Sequence, residues 1–63
     1  MNVVYLYNEA LHTQAIVNFT LLKIGFMQCI NNSVSTHIEY FNSFADINFK
    51  FNSLIMEGFI QYE

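Results

Sequence analysis

Across the stretch Ser33 to Phe41, Val34, Thr36, Ile38 and Tyr40 alternate with Ser35, His37 and Glu39. A period of two carried by β-branched and aromatic residues predicts a half-buried strand, not a helix. Asp46 to Asn52 repeats the alternation, with Ile47, Phe49 and Phe51 on one face. Joining the two runs through Asn42 to Ala45 pairs Phe41 with Asp46 and brings Tyr40 to Ile47, Ile38 to Phe49 and Thr36 to Phe51. The apolar faces then coincide, and a slip of one residue would turn them all outward. A tight turn at Asn52-Ser53 extends the register, setting Phe51 against Leu54 and Phe49 against Met56. Upstream, asparagine tolerates positive φ, so Asn31-Asn32 closes a hairpin that pairs Ile30 with Ser33, Cys29 with Val34 and Met27 with Thr36.

The N-terminal half reads differently. Asn2 to Tyr7 is a short β-branched and aromatic run, a first strand. Asn8 is placed to cap a helix, with Glu9 in its first turn, and no proline or glycine interrupts Glu9 to Ile24. Leu11, Ala15, Phe19 and Leu22 share one helical face, and Gly25 supplies the residue that ends many helices. The expected fold is therefore α+β, in the order β-α-β-β-β-β, one small domain over residues 1–63 with the helix packed on one sheet face. The alternative is an all-α helical hairpin, its second helix capped by Thr36 and carrying the stripe Tyr40, Phe44, Ile47, Phe51 and Leu54. Composition disfavours it, since Ile38 to Phe51 holds one alanine, no leucine and a surplus of Asn, Ser and Phe.

Length and composition turn attention to association. A chain of 63 residues buries only about 60% of the surface its unfolded form exposes. Its single cysteine, Cys29, makes no internal disulfide. Apolar residues make up 54% of the chain and charged ones 11%, against about 25% charged in an average soluble domain. The expected partners are a second copy of the chain or another protein, with membrane contact as the lesser option. A net charge of −3, with Lys23 and Lys50 as the cations, argues against a phosphate backbone, so nucleic acid is not expected. The apolar stretch from Ala10 to Ile30 has the length of a membrane span. Lys23 near its middle, with His12, Gln14, Asn18 and Gln28, makes it a poor one. No basic segment precedes the first apolar run and no small-residue cleavage site follows it, which predicts the cytoplasm.

Chemistry is sparse. His37-Ile38-Glu39 matches the H-x-E fragment of zinc deaminases without the P-C-x-x-C partner, and a solvated surface pair is the simpler reading. Cys29 in this register points toward the core, where a thiol is inert. Neither Gly25 nor Gly58 belongs to a phosphate-binding motif, and Glu9, Glu39, Asp46, Glu57 and Glu63 show no pairing of the kind acid-base catalysis uses. No catalytic residue, cofactor or metal is expected. What remains is an apolar set that this register places away from the helix-covered side: Phe26, Ile30, Phe41, Ile55 and Phe59, expected to form a protein interface. The functional expectation is a non-enzymatic, acidic, protein-binding module of the inhibitor, immunity or antitoxin type, the alternative being a membrane-associated accessory subunit.

Overall fold

Two asparagines decide the N-terminal half of the chain in the computed structural model, which describes residues 2–62. The Oδ1 of Asn8 accepts from the Leu11 N–H at 3.2 Å, and the Oδ1 of Asn18 accepts from the N–H groups of Thr20 and Leu21 at 3.0 and 2.9 Å. Each loop closes on a residue in the left-handed region, His12 at φ 50° and Leu22 at φ 54°. The chain reverses twice as a result. In place of the expected helix over Glu9 to Ile24 stand hairpins linking β1 (Val3–Asn8), β2 (Thr13–Asn18) and β3 (Lys23–Ile30). The physical reason is that an asparagine capping a helix and one closing a hairpin loop do the same local chemistry. The β-branched run in Thr13–Asn18 then favours the strand. The membrane-span candidate Ala10 to Ile30 is thereby divided between two strands, and no helix among the described residues is long and apolar enough to cross a membrane.

The hairpin expected at Asn31-Asn32 is present as read. β4 (Ser33–Tyr40) pairs with β3 with Ile30 opposite Ser33, Cys29 opposite Val34 and Met27 opposite Thr36. Asn31 and Asn32 sit at φ 53° and 63° in the turn.

Beyond Tyr40 the expected strands give way to α1 (Phe44–Met56), and a last short strand, β5 (Ile60–Tyr62), returns to pair with β1. The sheet is antiparallel with strand order β4-β3-β2-β1-β5, so the class is α+β as expected, while the element order is β-β-β-β-α-β. The all-α hairpin does not form. Its stripe nevertheless survives: Phe44, Ile47, Phe51 and Leu54 recur at three- and four-residue intervals, and Ile47 and Leu54 are buried. Ile47 and Phe51 fit a period of two and a period of 3.6 equally, and the ends of the segment break the tie. Ser43 caps the helix, its Oγ accepting from the Asp46 N–H at 3.2 Å. At the other end Gly58 takes φ 109°, with its N–H on the Ile55 carbonyl and the Phe59 N–H on that of Leu54, a Schellman closure. Phe49, which the strand reading put inside, is 76% exposed.

The core lies between α1 and one face of the sheet: Leu6, Ala15, Val17, Ile24, Ile47, Leu54 and Phe59 are buried there. Phe19 adds aromatic contacts to Phe44 and Phe51 with ring centroids 5.5 and 5.6 Å apart. The covered face is thus the opposite of the one expected. Phe26 and Phe41 pack against the core and Phe59 is buried within it, while Ile30 and Ile55 are exposed on β3 and α1. The five residues do not form one surface. The alternation along β3 and β4 is as read, but the helix that selects the inner face comes from residues 44–56 and lies on the side of Ile24 and Phe26.

Candidate functional site: the uncovered sheet face

Among the described residues no element covers the face opposite α1. On β1 and β5 it presents Tyr5, Tyr7, Ile60 and Tyr62; on β2, Gln14 and Ile16; on β3 and β4, Met27, Val34, Ile38 and Tyr40. All of these except Gln14 are exposed large apolar side chains. The register also sets Lys23 on this face, beside Asn18 and Tyr40, and no carboxylate of the described strands stands there. Glu39 points to the covered side, where it meets Lys50 at 4.0 Å. That pair is partly exposed and contributes little, on the order of 0 to 1 kcal/mol.

The surface has two distinct regions. At the β1–β5 end the ring of Tyr62 lies 6.2 Å from Tyr5 and 6.5 Å from Tyr7, the latter edge to face. The Gln14 amide donates to the Tyr62 hydroxyl, which fixes the ring, and Glu9 and Ile60 complete the walls of a depression of about 480 Å³. Near the middle, Gly25 stands between Ile16 of β2 and Ile38 of β4. A Cβ at Gly25 would meet nothing within 4 Å. The missing side chain leaves a hollow of about 280 Å³, walled by Ile16, Met27, Thr36 and Ile38. Gly25 was expected to end a helix; it sits instead inside a strand, where glycine weakens the sheet.

The other residues singled out in the sequence are dispersed. His37 and Glu39 share a face of β4, as a strand requires, but His37 stacks on Phe26, with ring centroids 6.1 Å apart, while Glu39 turns to Lys50. Cys29 is exposed, not buried as expected, because the uncovered face is the one on which it lies. Among the described residues no group of three or more His, Cys, Asp or Glu side chains converges, and no buried side-chain polar atom lacks a partner. Glu63 lies outside the described residues. Sequence reasoning missed Gly25 and the tyrosines; a glycine flanked by apolar runs was the available signal.

No protein-family model, curated protein or solved structure matches this chain.

Proposed function

We propose that this chain is a non-enzymatic, acidic protein-binding module of the inhibitor, immunity or antitoxin type, acting in the cytoplasm, which receives an apolar side chain of another protein in the hollow over Gly25. The observation that carries this reading is the glycine itself. An interior strand forgoes a side chain at the position flanked by Ile16 and Ile38, on a face that no element of the described residues covers. Departures from local stability rules concentrate where a protein binds. The low charge and tyrosine-rich composition of the same face suit a protein partner better than a phosphate or a metal ion. An exposed, single thiol at Cys29 suits a reducing compartment.

The test is affinity capture of the tagged chain from its native cells beside Gly25→Val and Ile16→Lys variants, with mass spectrometry of what is retained. A protein held by the native chain and lost from both variants is the expected result. Equal retention by Ile16→Lys, or no protein enriched over a tag-only control, overturns the proposal.

A second reading, a membrane-associated accessory subunit, draws on the outer side of α1, where Phe49 and Met56 are 76% and 88% exposed. Sedimentation with lipid vesicles, abolished by Phe49→Ser with Met56→Ser, is its signature.

A further inference from the structure

The two edges of the sheet are unequal. β5 is three residues long, whereas β4 runs for eight. β4 contains neither proline nor lysine, the residues that usually protect such an edge, and every one of its residues except Glu39 is exposed. Its hydrogen-bonding phase follows from two observations. The Phe41 N–H donates to the Leu22 carbonyl at 2.9 Å, and the two-residue turn at Asn31-Asn32 is closed by Ile30 opposite Ser33. Because an antiparallel ladder alternates, the odd-numbered residues of β4 bond to β3, and the N–H and C=O groups of Val34, Thr36, Ile38 and Tyr40 face outward.

We infer that β4 pairs antiparallel with β4 of a second copy of this chain, joining two five-stranded sheets edge to edge. One register lets all the outward groups bond among themselves: Val34 opposite the partner's Tyr40, and Thr36 opposite the partner's Ile38. The two-fold axis then passes through His37, at a position that exchanges no hydrogen bonds. In this register Ser35 faces the partner's Glu39 and His37 faces the partner's His37, so no two carboxylates meet across the seam. Apolar side chains meet along the uncovered side, and the axis is perpendicular to the sheet, so both uncovered faces lie on the same side of the joined assembly. An isologous contact of this kind needs only the surface that this chain already carries. The inference concerns the edge of the sheet and stands apart from the hollow over Gly25.

Proline tests it selectively. Thr36→Pro removes an N–H that points away from β3, so the monomer keeps its ladder and the paired edge loses its centre. Light scattering after size exclusion, across micromolar to millimolar protein, should show the native chain rising from 7.4 kDa toward twice that mass. Thr36→Pro should stay at the monomer mass with an unchanged circular dichroism spectrum, and Ile16→Lys should dimerise as the native chain does. Amide exchange gives a readout that does not depend on a variant's folding. In the native chain at millimolar concentration, the Val34, Thr36, Ile38 and Tyr40 amides should be protected, and on dilution their protection should fall while that of the Phe41 amide persists. A native chain at monomer mass throughout, those amides unprotected at millimolar concentration, protection acquired only when another protein is added, or dimerisation lost with Ile16→Lys and kept with Thr36→Pro would each overturn the inference.

Discussion

The Asn8 side chain joins the first loop to the end of the helix: its Nδ2 donates to the Glu57 carbonyl at 3.3 Å, across 49 positions of sequence, while its Oδ1 accepts from Leu11. Asn8 is 4% exposed and is the one buried polar residue of the described chain. Asn8→Ala leaves both partners unsatisfied and should lower stability by about 2 kcal/mol. Urea unfolding would show a lower midpoint at unchanged slope. An unaltered midpoint would mean that water replaces both bonds.

Gly58 lies beside the same contact. A Cβ there would approach the Asn8 Nδ2 only to 3.5 Å, which is ordinary contact, so space is available and the φ of 109° is what excludes side chains. Gly58→Ala is expected to destabilise by about 1 to 2 kcal/mol. Thermal unfolding is the measurement, and in a domain of this size each kcal/mol moves Tm by roughly 4 to 8 °C.

His12 and Leu22 hold matching places in the two N-terminal loops with φ within a few degrees of each other, yet they should answer the same substitution with opposite signs. His12 is exposed, so His12→Asn relieves left-handed strain and raises stability by up to about 1 kcal/mol. Leu22 packs against the core, so Leu22→Asn removes burial worth more than the strain and lowers it. A pair of melting curves decides both.

Within α1, Ile47 and Phe49 separate the helical reading of the segment from the strand reading. Phe49→Ala should change stability by less than about 0.5 kcal/mol, as surface substitutions do. Ile47→Ala should lose about 3 kcal/mol, enough to leave a marginal chain of this size partly unfolded at room temperature. Comparable losses from the two would place both side chains inside.

Gly25→Val should strengthen the fold while weakening capture of the partner proposed above. The added side chain begins in open space and suits a strand, for a gain of roughly 0.5 to 1 kcal/mol. Stability measured by urea unfolding and retention in the capture experiment should move in opposite directions.

Where the sequence was legible, one backbone conformation had one matching residue type. Asn31-Asn32 tolerates positive φ, and from it the β3–β4 register followed residue by residue. The loops at residues 9–12 and 19–22 were illegible because they reach the left-handed region through His12 and Leu22, without the glycine that marks such turns. The repeat of Asn8 at Asn18 was the remaining trace. The helix was hidden because Phe49 completes an alternation that the three-dimensional packing ignores; Ser43 before Asp46 and Gly58 before Phe59 were the local signs in its favour. Once the helix was placed on the wrong segment, the inner and outer faces of a correctly registered hairpin were exchanged. Phe26 and Phe41 then read as a docking surface, and Met27, Val34 and Ile38, which lie on the open face, read as core.

The return of β5 to β1 also sets a timetable for synthesis. Strands β1 to β4 can zip together as they leave the ribosome, since each meets its neighbour within a short span of chain. The outer flank of β1, however, waits for Ile60–Tyr62 to emerge. Until then a nascent chain exposes the six residues of β1 as its second border where the finished sheet ends in the three of β5, so crowded polysomes, where newborn copies lie side by side, are the setting in which wrong pairings compete most strongly.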